Sequence, residues 1–120
     1  MAGLNVQIFG VRNSPATRAA ERFFKERRIG IHYVDLRKKP LAPGEIRRFS
    51  EKFGGLASLL DPESKEYVDA GLKYLRLPET ELFARIERTP GLLRLPLVRG
   101  PGSRLAVGSD PDAWKAMLEL

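Results

Sequence analysis

The residues best placed to do chemistry lie in one short loop, residues 12–18, which reads RNSPATR. An apolar run at residues 6–9 precedes the loop and an alanine- and phenylalanine-rich helical pattern follows it, so the sequence predicts a strand, a loop and a helix. Ser14 suits the helix N-cap, and Pro15 suits the first helical position, where its missing N–H costs nothing. Ligands of parallel α/β sheets bind beyond the carboxyl end of such a strand. We therefore expect any chemistry of this chain at residues 12–18.

The loop carries groups that favour an anion. N–H groups at a helix N-terminus attract negative charge. The loop adds the hydroxyls of Ser14 and Thr17 and the guanidinium groups of Arg12 and Arg18. The alternative interpretation is structural, with Ser14 only capping the helix, Thr17 at the third helical position and both arginines solvated. The sequence is compatible with both interpretations.

The scarcity of sulfur and imidazole restricts the chemistry. The chain of 120 residues has no cysteine and one histidine, His32. Disulfides, thiolate metal sites and any reaction in which the protein itself forms a sulfur bond are thereby excluded. A multi-histidine metal centre and a Ser-His-Asp triad are not expected either. His32 has no partner at motif spacing, so we interpret it as a structural residue, and we predict no metal site and no catalytic residue.

Charge is distributed unevenly along the chain, whose formal net charge is +6. Residues 1–60 hold twelve Lys and Arg against five Asp and Glu, whereas residues 61–81 hold three against six. A basic half can attract nucleic acid or an acidic protein surface, or it can be a solvated shell. We do not expect nucleic-acid binding, because no zinc pattern, RNP-type aromatic string or Gly-X-X-Gly loop accompanies the charge. The chain has no long apolar run and no signal peptide, so we expect a cytoplasmic protein without membrane association.

Hydrophobic periodicity places the loop in an α/β fold. Residues 31–36 predict a second strand, parallel to the first through a right-handed crossover. Gly30 is expected to end the intervening helix of residues 15–28. Two apolar runs, residues 95–99 and 104–108, flank a Gly- and Pro-containing loop and predict a β-hairpin.

Helical patterns fill the stretch between the second strand and the hairpin. One helix is predicted at residues 43–52, and another begins at Pro78 and ends at the Thr-Pro-Gly of residues 89–91. Short helices rather than strands are expected between them. A last helix, N-capped by Asp110, follows the hairpin.

This order of elements and several local strings resemble the ArsC/Spx family of thioredoxin-fold proteins, which includes arsenate reductases and the Spx transcriptional regulators. The strings are FGVRNSPATR at residues 9–18, TPGLLRLP at 89–96, and RLAVG at 104–108 followed by DAW at 112–114. The resemblance covers nearly the whole chain. It implies an α/β, thioredoxin-like fold (βαβ, helical insertion, ββα) with a four-stranded mixed sheet. We expect a single domain, residues 1–120, with the helical insertion at about 41–90.

The resemblance also implies that most of the catalytic apparatus has been lost. The nucleophilic cysteine of the family aligns with Ser14, and the second cysteine of a CxxC pair aligns with Thr17. The three arginines that hold the oxyanion in arsenate reductases align with Asp61, Leu95 and Arg104, so only the last is retained. A serine hydroxyl is far less acidic than a thiol and cannot cycle through a sulfur–sulfur bond.

One further position follows from the resemblance. Pro96 aligns with the proline that is cis and faces the active loop in thioredoxin folds, so a cis Leu95–Pro96 bond is implied. The candidate binding residues are therefore Arg12, Ser14, Thr17, Arg18, Pro96 and Arg104.

Two function classes follow for this chain. The first is a redox-silent ArsC/Spx-family protein that acts as a protein- or anion-binding module in a regulatory role. A contact with RNA polymerase follows only by analogy with Spx, because Leu95 replaces the second arginine of the Arg-Arg-Pro of the family. The alternative is an arsenate reductase-related, glutathione-dependent oxidoreductase or transferase, in which glutathione supplies the thiol and Ser14 or Thr17 activates it. The sequence leaves open whether the protein is an enzyme.

Overall fold

The first strand and the helix after it organise the sheet. The structure, a computed structural model, describes residues 5–119. Strand β1 (Asn5–Gly10) is parallel to β2 (Gly30–Asp35), and helix α1 (Pro15–Glu26) connects them. The predicted strand, helix and parallel strand are therefore confirmed.

The hairpin completes a mixed sheet of four strands. Strands β3 (Leu97–Arg99) and β4 (Leu105–Val107) are antiparallel to each other, and β3 is antiparallel to β1, with Ile8 opposite Val98. The strand order is β2-β1-β3-β4. Helix α5 (Pro111–Met117) follows β4. This is the α/β, thioredoxin-like fold that the resemblance implied.

One face of the sheet packs against α1 and α5. The buried side chains of this cluster are Val6, Ile8, Ala20, Phe24, Val98, Ala106, Trp114 and Met117. Partly buried Phe23 joins them, with its ring centroid 5.5 Å from that of Trp114. Burial of each large apolar side chain contributes about 1.5–3 kcal/mol, so this cluster holds both helices on the strand that leads into the loop.

Helix α1 ends in a different way from the one predicted. Arg28, with φ of 57°, takes the left-handed conformation, and Gly30 begins β2 instead. The Ile29 N–H donates to the Phe24 carbonyl at 3.0 Å, which is the long bond of a Schellman motif. Ile29 and Phe24 both belong to the apolar cluster against the sheet. The expectation for Gly30 was wrong because capping bonds and apolar packing stabilise a left-handed arginine two residues earlier.

The chain forms two compact units. One contains the residues up to Lys39 and from Leu95 onward, and the other is Pro40–Arg94. The helices of the second unit are α2 (Pro43–Phe53), α3 (Lys65–Asp69) and α4 (Glu79–Arg88). The second unit corresponds to the predicted helical insertion, while the assignment of residues 1–120 to one domain stays a prediction.

Backbone contacts close the second unit on itself. Helix α2 ends at Gly54, whose φ of 91° is a left-handed conformation that glycine adopts without steric cost. Leu60 forms an isolated antiparallel bridge with Leu93, and the Asp61 N–H donates to the Leu92 carbonyl at 2.8 Å. These contacts join the segment that follows α2 to the last residues of the second unit.

Candidate functional site

The loop between β1 and α1 is closed by its own hydrogen bonds. Ser14 is the N-cap of α1: its Oγ accepts from the Thr17 N–H at 3.1 Å, and its N–H donates to the Val11 carbonyl at 3.1 Å. Pro15 has no N–H, and the Thr17 N–H is capped by Ser14. Of the first three helical residues in the described chain, only Ala16 therefore has a backbone N–H without a cap. The loop offers an incoming anion one helical backbone donor instead of the several that line a phosphate cradle.

Thr17 lies inside the protein. Its relative exposure is 0%, and its Oγ1 has no hydrogen-bond partner. A Cβ added to Gly10 would lie 2.5 Å from both the Oγ1 and the Cγ2 of Thr17. The side chain therefore packs between α1 and the end of β1, where it does not face solvent.

Both arginines of the loop have partners within the first unit. Arg12 Nη1 lies 3.0 Å from each carboxylate oxygen of Glu21, and the guanidinium carbon lies 3.9 Å from the ring centroid of Tyr33. Arg18 Nη1 donates to the Arg12 carbonyl at 2.8 Å. The side chain of Arg12 is 63% exposed, so its ion pair is screened and contributes at most about 1 kcal/mol. These contacts stabilise the loop conformation.

The sequence interpretation missed the role of Tyr33 beside the loop. The Tyr33 hydroxyl is buried without a partner, and burial together with the charge of Asp35 raises the pKa of Tyr33. Ile31 and Tyr33 both pack against the apolar cluster beneath α1. The alternation of side chains along β2 was the available signal, since it places Tyr33 on the same face as Ile31.

Pro96 lies at the start of β3 in the first unit. The Leu95–Pro96 peptide bond is cis, as the resemblance implied. Pro96 is buried, and its carbonyl accepts from the Gly108 N–H at 2.9 Å. That hydrogen bond extends the pairing of β3 with β4 by one step.

Arg104 binds the end of helix α5. Its Nη1 donates to the carbonyls of Ala116 at 3.0 Å and Met117 at 3.1 Å, and also to the Glu119 carbonyl. Ala116 and Met117 are the last residues of α5, and a cation is favoured at a helix C-terminus by the macrodipole. The arginine for which the resemblance implies an oxyanion-binding role therefore caps a helix in this structure.

Asp61 and His32 also have local partners. Asp61, at a position where the resemblance implies an oxyanion arginine in the family, accepts from the Glu63 N–H at 3.0 Å and so closes a turn. His32 lies 3.1 Å, through Nδ1, from the Nε2 of Gln7 on the neighbouring strand. Arg99 donates in turn to the Oε1 of Gln7. The histidine thus forms part of a cross-strand polar row.

Two findings concern larger sites and membranes. Among residues 5–119, no group of three or more His, Cys, Asp or Glu side chains is arranged to hold a metal ion. In the same part of the chain, no helix is both long and apolar enough to cross a membrane.

A comparison with family models decides the relationship. The model of the ArsC family matches residues 9–117, from the end of β1 to the end of α5. This chain belongs to the ArsC family. The family resemblance carried by the local strings is thereby confirmed, and the chain is an ArsC-family protein that contains no cysteine.

Solved structures of ArsC-related proteins share the fold. The arsenate reductase from Vibrio cholerae superposes with a TM-score of 0.79 at 18% identity, over 97% of this chain and 99% of that one. An arsenate reductase (ArsC) related protein from Brucella melitensis superposes with a TM-score of 0.65 at 18% identity, over 100% and 99%. No curated protein matches the sequence significantly. The identities are low, so these structures support the fold assignment alone.

Proposed function

We propose that this ArsC-family protein acts by binding a protein partner and performs no thiol chemistry of its own. The observation that carries the proposal is Ser14, at the position that the resemblance assigns to the nucleophile, with its Oγ bonded to the Thr17 N–H at 3.1 Å. The only imidazole of the sequence, that of His32, lies on β2 and contacts Gln7. An alcohol without an adjacent base is a weak nucleophile and cannot form the disulfide that a reductase cycle requires.

The candidate arginines already have partners within the protein, which favours a protein partner over a small anion as the ligand. Arg12 is paired with Glu21, Arg18 with a loop carbonyl, and Arg104 with the end of α5. To bind at the loop, an oxyanion would have to displace contacts of these arginines. In return it would gain a hydrogen bond from one uncapped backbone N–H. The scaffold of the family is retained, whereas the groups that would hold its anionic substrate have other partners.

The proposal is tested by an arsenate reductase assay. The pure protein is incubated with arsenate, glutathione, glutaredoxin and glutathione reductase, and NADPH oxidation is followed by absorbance. We expect the rate to equal that of the protein-free mixture. Steady turnover that rises with the concentration of this protein would contradict the proposal.

The variant Ser14→Cys is the matched control. Its sulfur would lie at the N-terminus of α1, where the macrodipole and free N–H groups lower a thiol pKa below its usual value of about 8.5. We expect it to react with a thiol reagent at neutral pH faster than free cysteine does, whereas the natural chain does not react. We expect no arsenate turnover by the variant, because Arg104 remains at α5.

Glutathione binding is a second candidate function. The Oγ of Ser14 accepts one hydrogen bond, and its hydroxyl hydrogen remains available to donate to a bound thiolate. Titration calorimetry with millimolar glutathione, on the natural protein and on Ser14→Ala, tests this role. Saturable heat that weakens in the variant would support it, and the absence of heat would exclude it.

A further inference from the structure

An apolar surface on the second unit is left open to solvent. Among residues 5–119, Val68, Tyr74 and Leu75 are large hydrophobic side chains with exposed fractions of 64%, 83% and 43%. Val68 lies on α3, Tyr74 lies on the 3₁₀ turn Leu72–Tyr74 that follows it, and Leu75 comes directly after that turn. Contiguous exposed apolar surface marks interaction sites more often than singly scattered side chains do.

A cleft adjoins this surface. Its volume is about 250 Å³, and its lining includes Tyr67, Leu72, Leu75, Leu77, Leu82 and Arg76. Every lining side chain except Arg76 is apolar or aromatic. Leu75 belongs both to the exposed surface and to the cleft. We call the exposed side chains and the cleft together the 68–77 surface, which offers depth for inserted side chains as well as flat apolar area.

Among the described residues that line the cleft, Arg76 is the one with a charged side chain. Lys73 precedes it by three residues in the sequence, and its Nζ lies 5.8 Å from the ring centroid of Tyr74. Two acids of the same stretch have cations of their own: Asp69 pairs with Lys65 at 2.7 Å, and Glu81 pairs with Arg85 at 3.4 Å. The guanidinium in the lining of the cleft therefore favours a partner that supplies a carboxylate.

We propose that the 68–77 surface docks an amphipathic acidic segment of another protein. Apolar side chains of that segment enter the cleft beside Leu75, and its carboxylates face Lys73 and Arg76. The inference rests on the proposed protein-binding role and gives it a surface and a partner chemistry. A peptide is favoured over a lipid surface because the apolar lining is concave, with Leu72 buried at its floor at 6% exposure.

Selection from a displayed library of random peptides tests this inference. The natural chain is the bait, and Tyr74→Ser, at a side chain that is 83% exposed, is the counter-selection bait that should keep its fold. We expect enriched peptides to combine apolar residues at helical spacing with Asp or Glu. Arg76→Glu should weaken their binding about tenfold and should favour versions in which Lys replaces the acids. Lys115→Glu, at an exposed position of α5, is the matched charge control and should leave peptide binding unchanged.

Several outcomes would overturn the inference. They are the absence of enrichment, enrichment without acidic bias, and binding that is indifferent to both Tyr74→Ser and Arg76→Glu. Light scattering that shows a dimer lost in Tyr74→Ser would assign the surface to a second copy of the chain. Sedimentation with phosphatidylglycerol vesicles but not with phosphatidylcholine vesicles would assign it to a membrane. None of these results affects the arsenate assay, so failure of this inference is distinguishable from failure of the redox-silent function.

Discussion

Two hydroxyls in the first turn of α1 have opposite energetic roles. The Ser14 hydroxyl is an N-cap and satisfies a backbone donor that would otherwise lack a partner. The Thr17 hydroxyl is buried at 0% exposure with no partner, so it is desolvated without compensation. Its Oγ1 and its methyl group both lie in the space left by the missing side chain of Gly10.

Substitution of Thr17 separates the two halves of its side chain. Thr17→Val keeps the volume and removes the unpaired oxygen, so the free energy of unfolding should stay constant or rise by up to about 1 kcal/mol. Thr17→Ser keeps the oxygen and removes the methyl, so stability should fall by about 1 kcal/mol. Urea denaturation measures both. A Thr17→Val protein that loses more than about 1 kcal/mol would show that the oxygen is needed.

Ionisation of Tyr33 should make the free energy of unfolding depend on pH in the alkaline range. Burial and the charge of Asp35 raise its pKa above the ordinary value of 10.0, so the folded state favours the neutral phenol. The resulting stabilisation is complete below that ordinary value and is lost as pH rises through the folded-state pKa. Unfolding free energies measured between about pH 8 and pH 11 should fall more steeply for the natural protein than for Tyr33→Phe. Tyr74→Phe, at an exposed ring, is the control and should leave the slope unchanged.

At the scale of elements, the side chain of Arg104 connects the hairpin to α5. Arg104 precedes β4 and donates to three carbonyls at and just after the end of α5. Trp114, in the middle of that helix, and Met117, its last residue, are buried in the core. Helix α5 has only seven residues and is too short to be stable alone. The cap and the core contacts therefore act together to keep it on the sheet.

Removal of this cap should loosen α5. Arg104→Met retains the aliphatic stem but loses the donors and the charge, so unfolding free energy should fall by about 1–2 kcal/mol. Arg22→Met, at an exposed position on α1, is the matched control and should change stability by less than about 0.5 kcal/mol. Hydrogen exchange should show faster opening of amides in α5 for the first variant only. Equal stability of the two variants would refute this role of Arg104.

Local sequence patterns were sufficient to predict the helices and strands, but they did not predict the contacts of every side chain. Capping by Ser14 and the end of α2 at Gly54 follow from short-range chemistry, so both could be predicted. The left-handed Arg28 could not, because it depends on packing of Ile29 and Phe24 in the core. The role of Arg104 could not either, because its acceptors lie twelve to fifteen residues away on another element.

At the scale of the whole molecule, the absence of cysteine should make stability insensitive to the thiol–disulfide balance of the solution. The sequence has no thiol to oxidise and no disulfide to reduce. Thermal unfolding should therefore give the same midpoint in reduced and in oxidised glutathione, within the error of the measurement. The Ser14→Cys variant should show a midpoint or mass that changes in oxidised glutathione. A shift in the natural protein would indicate a specific interaction with glutathione and would favour the second candidate function.

The attachment of Arg104 to α5 has a consequence for engineering this protein. The Ser14→Cys variant places a thiol at the start of α1, but the Arg104 guanidinium stays bound to the carbonyls of Ala116 and Met117. Releasing the guanidinium for a ligand would remove this donor from the end of α5 and would weaken the fold. A design that adds an oxyanion site beside position 14 therefore has to take its cation from another residue.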